Sequence, residues 1–281
     1  MKLKPSAVVV TGASSGIGLA TATLLAGRGY TVYGGVRTED AASRLTTHDS
    51  RIRPLQLDVC DEHSITEAAR AIPADFDLAG VVNNAGIAVA GPLEHVTAAE
   101  LRLQFEVNVV GPLAVTQAFL PRLRASRGRV IFVGSISGRF AVPFIAPYSA
   151  SKFALRALAD AMRNELAPAG VSVSLIEPGS VKTPIWEKGR EAQRHLWERL
   201  SEDARATYAG ALHAVVHQAE REERSGIAPE AVARAIAHAL SARRPRAHYL
   251  VGTPARIGSL IVTLLPARLH DRLIRKAMRL P

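Results

Sequence analysis

Tyr148 and Lys152 stand four residues apart in the stretch APYSASKFAL, residues 146–155. Positions i and i+4 of a helix share a face, so a helix here makes the phenol and the ammonium neighbours. The pattern supports one: Leu155, Leu158, Met162 and Leu166 recur at three- and four-residue steps, and Pro147 suits a first turn. A free tyrosine ionises near pKa ~10. A cation beside it favours phenolate and lowers that value. Such a phenol can donate a proton to a carbonyl oxygen or take one from an alcohol near neutral pH. Taken alone, the pair could equally be two surface side chains.

Other residues weigh against the surface reading. Ser135 lies thirteen residues before Tyr148, after the apolar run VIFVG. A hydroxyl at a strand end can donate to a substrate oxygen as charge develops on it; Ser137 is the nearby alternative. Asn108, in FEVNVVGP, interrupts a helical stretch, where asparagine competes for backbone bonds. It marks either a packing kink or a polar task.

A glycine-rich turn lies near the N-terminus. VVVTGASSGIGLA places Gly12, Gly16 and Gly18 directly after an apolar strand and at the start of a helix. Glycines there permit a tight turn and close backbone approach to a pyrophosphate, and the helix N-terminus offers N–H groups and partial positive charge. A purely structural turn is the alternative.

With these motifs in order, the sequence resembles the short-chain dehydrogenase/reductase family. The resemblance rests on the Gly-x-x-x-Gly-x-Gly spacing, NNAG at 83–86, Asn108, Ser135, Tyr148 with Lys152, and Pro178–Gly179, and it runs from residue 7 to about 185. VYGGVR and SLIEPGSVKT are similar to the branch holding 17-beta-hydroxysteroid and retinol dehydrogenases, which takes bulky apolar substrates. The resemblance implies a nicotinamide dinucleotide held by Gly12, Ser14, Ser15, Gly16, Ile17 and Gly18. Asn84, Ala85 and Gly86 would meet its riboses, and Pro178, Gly179, Val181 and Thr183 the nicotinamide carboxamide. It also implies that Tyr148 and Lys152 touch the dinucleotide, and that the Asn108 backbone carbonyl binds a water linking Lys152 to solvent. Asp58, expected to close the third strand, would take the adenine amino group with Val59 along the ring; a turn or N-cap aspartate is the alternative.

The end of the second strand speaks to the cofactor's phosphate. VYGGVRTED puts Arg37 there, with no acid until Glu39 and Asp40. A guanidinium pairs bidentately with phosphate, so NADP(H) is expected. NAD(H) is the alternative, with Glu39 or Asp40 turned inward to the ribose.

These groups need a scaffold. Apolar runs at 7–11, 31–35, 54–58, 78–84, 129–135, 171–177 and 248–252 read as buried strands, with helical patterns between them at 17–27, 63–71, 97–107, 112–125 and 148–167. Alternation of this kind predicts an α/β fold of the Rossmann type, a doubly wound seven-stranded parallel sheet between two helical layers. One domain over 1–253 is expected. Residues 183–226 are charged and helical in character, a candidate substrate lid after a strand's carboxyl end. Val142, Phe144, Ile185 and Trp186 are expected near its mouth.

Composition sets the outer bounds. The chain has 281 residues, 48% hydrophobic, and a net charge of +10, enough to bury a substantial core. A single cysteine, Cys60, rules out an intramolecular disulfide and makes a reducing cytoplasm the expectation. No apolar run approaches the ~18 residues of a membrane span. From Pro254 onward six Lys/Arg stand against one acid, Asp271. That basic amphipathic extension, 254–281, suits either a membrane surface or packing on the body or on a second subunit. No nucleic-acid-binding motif accompanies the charge. The expected enzyme is an NADP(H)-dependent oxidoreductase that interconverts a secondary alcohol and a ketone, or an aldehyde, on a steroid-, retinoid- or lipid-like molecule. A 3-oxoacyl-type reductase and a non-catalytic NADP sensor are the alternatives. The resemblance implies a homodimer or homotetramer.

Overall fold

A computed structural model describes residues 6–253 and 266–278. Seven parallel strands form one sheet in the order β3-β2-β1-β4-β5-β6-β7. They are β1 (Ser6–Thr11), β2 (Thr31–Val36), β3 (Ile52–Gln56), β4 (Asp77–Asn83), β5 (Arg129–Val133), β6 (Ser172–Pro178) and β7 (His248–Val251). The order reverses between β1 and β4, which opens a crevice at their carboxyl ends, the usual ligand position in such sheets.

Alternating side chains build a core on each face. From β1, Ala7 and Val9 join the layer of α3 (Glu62–Ala71), α5 (Gly111–Ser126) and α6 (Ala146–Leu166). Val8 and Val10 join the layer of α1 (Gly16–Gly27), α2 (Glu39–Thr46) and α9 (Pro229–Ser241). Period-two burial on both faces is why these strands read as unbroken apolar runs. Phe119, Phe132, Leu155 and Ile236 are among the largest fully enclosed side chains.

The expected strands all form, with one displaced. β3 covers Ile52–Gln56, two residues earlier than the apolar pattern suggested, which places Pro54 in the middle of the strand rather than at its start. A proline, having no N–H, is tolerated there because β3 is the sheet's edge. Asp58 therefore lies beyond the strand, in the turn to α3. Its carboxylate accepts from the Cys60 N–H at 3.0 Å. The helix pattern over 97–125 resolves into α4 (Ala98–Phe105), a π-helical turn at Glu106–Val110, and α5.

The 183–226 segment forms α7 (Ile185–Arg199) and α8 (Glu202–Ser225). Leu196, Leu200 and Ala204 make a small separate cluster with Phe144, Trp197 and Tyr208. The Trp186 side chain lies outside the described residues, as do 254–265 of the basic extension. The remainder of the extension forms α10 (Ala267–Met278), whose Leu269 and Leu273 are exposed. Among the described residues, no helix is long and apolar enough to cross a membrane.

Candidate active site

The glycine turn has the geometry its sequence promised. Gly12 and Gly16 adopt φ of 63° and 54°, the left-handed region that favours glycine. A Cβ at Gly18 would collide with the Gly12 carbonyl. Ser15 is the N-cap of α1 yet its side chain makes no capping bond, and the first turn carries no acid. Ser14 and Ser15 are exposed, and Gly16 lies against Thr183. A helix N-terminus with bare backbone beneath it suits a pyrophosphate.

Two residues shape this turn in ways the sequence did not reveal. Buried Thr11 accepts from the Asn84 and Ala85 N–H groups, both at 2.9 Å. The Asn84 side chain donates back to the Thr11 and Gly12 carbonyls at 3.0 and 3.2 Å. The Asn84 amide thus braces the glycine turn. Gly86 passes close to Asn108, whose Oδ1 would lie 3.3 Å from a Cβ.

Across the switch point, β5 ends at Val133, and Ser135 caps a short 3₁₀ turn, Ile136–Gly138, by accepting from the Ser137 N–H at 3.1 Å. Tyr148 and Lys152 project from the first two turns of α6, and Lys152 is buried. Its Nζ donates to the Val133 carbonyl at 2.9 Å and lies 5.6 Å from the centre of the Tyr148 ring. The Ser135 hydroxyl lies close enough to the Tyr148 phenol to favour its ionised form. The structure therefore brings Ser135, Tyr148 and Lys152 together as expected.

Electrostatically the pocket differs from the simple expectation. Burial holds the Tyr148 phenol above its usual value, and the Ser135 hydroxyl, able to donate to a phenolate oxygen, pulls the other way without prevailing. Burial also lowers Lys152 to about 8. The expected lowering of the phenol's pKa by the neighbouring ammonium is therefore not seen in the unliganded pocket, where desolvation prevails.

Asn108 is fully buried in the π-helical turn. Its Oδ1 accepts from the Ile87 N–H at 2.9 Å, and its Nδ2 donates to the Ile87 carbonyl and to Ser151 Oγ at 3.0 and 3.1 Å. Ser151 in turn donates to the Tyr148 carbonyl at 2.7 Å. Gln104, which sequence reading passed over, repeats the pattern one turn earlier. It accepts from the Val89 N–H at 2.7 Å and donates to the Ile87 carbonyl at 3.0 Å. As one glutamine on a mixed helix it carried no sequence signal of this role. Together the two amides fasten the segment after NNAG to α4 and α6.

The remaining candidates line the crevice less directly. Arg37 is exposed just past β2, its carbonyl accepting from Gln56 Nε2 at 3.0 Å. Asp40 pairs with Arg44 at 2.6 Å along α2 rather than turning toward the strand end. Val59 is buried beside α5, its carbonyl oxygen 2.7 Å from where a Cβ on Gly111 would sit. Pro178 ends β6, Gly179 donates to the Val251 carbonyl at 3.0 Å, and Val181 bridges to Ile227. Ile17 packs against the α1 side of the core.

The match to known proteins agrees with this geometry. Residues 6–194 fit the family described as short chain dehydrogenase. An NADPH-dependent 3-dehydrocapnine reductase from Ornithobacterium rhinotracheale is 36% identical over 281 residues, covering 96% of each chain. Retinol dehydrogenase 5 from Homo sapiens is 35% identical, covering 95% of this chain and 87% of its own. Among solved structures, a Burkholderia cenocepacia short chain dehydrogenase in complex with NADP superposes with a TM-score of 0.74 at 27% identity, covering 97% of this chain and 99% of its own. The chain belongs to the short-chain dehydrogenase/reductase family. Within it, it falls with the retinol and 17-beta-hydroxysteroid dehydrogenases, as an oxidoreductase of the alcohol–carbonyl class.

The buried lysine generates a stability prediction. Its folded pKa lies below its unfolded one, so the protonated ammonium destabilises the fold fully below pH 8, and the penalty fades as pH rises toward 10.5. Between pH 8 and about pH 9.5 the unliganded protein should gain about 1–2 kcal/mol relative to Lys152→Met. Parallel urea titrations of the two proteins at both pH values check this; equal slopes would mean that Lys152 is not desolvated.

Proposed function

We propose that this chain is an NADP(H)-dependent oxidoreductase that interconverts a secondary alcohol and a ketone, or an aldehyde, with Tyr148 as general acid/base. The observation that carries this is the Tyr148 phenol beside the buried Lys152 ammonium at the carboxyl end of β5, across the crevice from the glycine turn.

The dinucleotide, when bound, supplies or accepts the hydride. The rest is the chain's own work. The Tyr148 hydroxyl gives its proton to the carbonyl oxygen in reduction and recovers it in oxidation. Ser135 donates to the same oxygen and holds the substrate in place. Lys152 keeps positive charge near the phenol and reaches toward the nicotinamide ribose. The π-turn spaces its backbone bonds i→i+5, which removes an ordinary α-helical donor from one carbonyl. That supports a water at the Asn108 carbonyl, relaying protons between Lys152 and solvent. Gly12 to Gly18 hold the pyrophosphate, Asp58 and Val59 the adenine, and Asn84 to Gly86 the riboses. Pro178, Gly179, Val181 and Thr183 meet the carboxamide.

NADP(H) is favoured because Arg37 stands exposed at the end of β2 while Asp40 is already engaged by Arg44. The NADPH-dependent relative supports the same choice. A bulky apolar substrate is supported by the retinol dehydrogenase relatives and by the apolar cluster of α7 and α8 with Phe144. In this reading α7 and α8 are a substrate lid. Leu103, Val110 and Phe153 are exposed on neighbouring elements and suit self-association into a homodimer or homotetramer. The exposed Leu269 and Leu273 of α10, flanked by Arg268, Arg272, Arg275 and Lys276, suit peripheral contact of a cytoplasmic enzyme with an anionic membrane.

Three measurements test these assignments. A panel of retinoids, steroids, 3-oxoacyl esters and simple ketones with NADPH should show turnover of a bulky apolar carbonyl, and Tyr148→Phe should lower kcat by about 10²-fold or more. Binding of NADPH without any turnover would leave only a sensor. Arg37→Asp should weaken NADPH about 10–100-fold while sparing NADH, read by fluorescence titration; equal loss of both would remove the phosphate role. Flotation with phosphatidylserine vesicles should retain the full chain and release a form lacking 254–281, and equal retention would remove the membrane role.

A further inference from the structure

Glu177 is the last residue of β6 before Pro178, and its side chain is completely buried. Arg139, four residues after Ser135, closes the 3₁₀ turn that Ser135 opens. The guanidinium grips the carboxylate with two bonds, Nε to Oε1 at 2.7 Å and Nη2 to Oε2 at 2.6 Å. His248, the first residue of β7, faces Glu177 Oε2 through Nδ1 and Asp160 Oδ1 through Nε2, both at 2.9 Å. Arg163 also donates to Asp160 Oδ1, at 2.6 Å.

A buried ion pair is weak evidence of a stabilising role. Desolvating two charges offsets most of their attraction, and an apolar pair of similar size fills such a site as well. What the apolar pair lacks is direction, because a bidentate fork fixes both partners in angle and distance. The groups it would fix are the ones the reaction needs. On one side the 3₁₀ turn is wedged against α6, with a Cβ on Gly138 falling 2.8 Å from the Lys152 carbonyl. On the other side Arg139 tethers the turn to the residue preceding Pro178–Gly179.

We propose that Arg139 and Glu177 are positioning residues: their forked ion pair sets the separation between the Ser135–Tyr148 hydroxyls and the Pro178–Gly179 turn. This rests on the oxidoreductase reading above. It adds that the proton-transfer groups and the dinucleotide-facing turn are held in register by one ion pair behind both. Burial opposes ionisation of Glu177, yet the bonds from His248 and Arg139 prevail and hold its carboxyl below the usual range, so the charge persists.

The test uses the full chain with Arg139→Lys, which keeps the charge but loses the fork, and with the double change Arg139→Met/Glu177→Leu, which removes both charges. In both, kcat with NADPH and the best carbonyl of the panel should fall about tenfold or more, with KM and NADPH affinity within about twofold of the parent. A purely structural pair would instead lower the melting temperature and leave kcat per folded molecule unchanged, which overturns the proposal. A second readout needs no substrate. Hydrogen exchange of the Gly138 and Arg139 amides, bonded to the Ser135 and Ile136 carbonyls at 3.0 and 2.9 Å, should quicken about tenfold in nucleotide-free Arg139→Lys while β5 amides hold. Unchanged protection there overturns the proposal even if the double variant does not fold. Full activity of Tyr148→Phe would instead refute the underlying oxidoreductase reading, so the two failures are distinguishable.

Discussion

An ammonium taken out of water and given one strand carbonyl is the constraint on which this structure turns. Lys152 donates to Val133 from a nearly closed site, and its lowered pKa, about 8, corresponds to about 3 kcal/mol of destabilisation when protonated. Only a rigid surround can hold a group under that penalty. The surround consists of β5 beneath it, the 3₁₀ turn Ile136–Gly138 beside it, and α6, fastened by Ser151 to the amides of Asn108 and Gln104. The same burial keeps the unliganded phenol protonated.

The parallel sheet explains why these pieces meet. Each strand delivers its carboxyl end to the same edge, so the glycine turn after β1, the NNAG segment after β4, Ser135 after β5 and Pro178–Gly179 after β6 arrive together. The reversal between β1 and β4 supplies the gap. Thr11 and Asn84 close the floor of that gap by bonding across it, which lets the glycines stay bare above. Side chains that could have blocked the crevice are spent on fixing its walls.

Much of this was legible in the sequence, for physical reasons. Strands buried on both faces must be apolar throughout, so β1, β4, β5 and β6 announced themselves. The Tyr148–Lys152 spacing meant proximity as soon as α6 was recognised. Illegible were features decided by neighbours remote in sequence. β3 slipped because edge pairing tolerates Pro54 in mid-strand, whereas the pattern had set it at the strand's first position. Gln104 looked like any helix glutamine until the fold set Ile87 and Val89 opposite it. Arg139 and Glu177 lie 38 residues apart and showed no local pattern. The phenol's raised pKa depends on enclosure, which no spacing encodes.

The α7–α8 insertion follows the same logic of remote contact. Phe144 adopts φ of 66°, a left-handed conformation that a bulky L-residue adopts at about 1 kcal/mol or more. It is held there by the Gly91 N–H, which donates to its carbonyl at 2.7 Å, and by an edge-on contact with Tyr208 of α8 at 6.3 Å. Gly91 itself has no room for a Cβ because Leu196 of α7 occupies the space. The insertion, the segment after β4 and the residue four before Tyr148 are thus locked in one contact. The contacts of α7 and α8 thus help hold the strained backbone that leads into the first turn of α6. The placement of α7 and α8 and the backbone leading to Tyr148 are therefore mechanically coupled, through a residue whose own conformation is unfavourable without its partners.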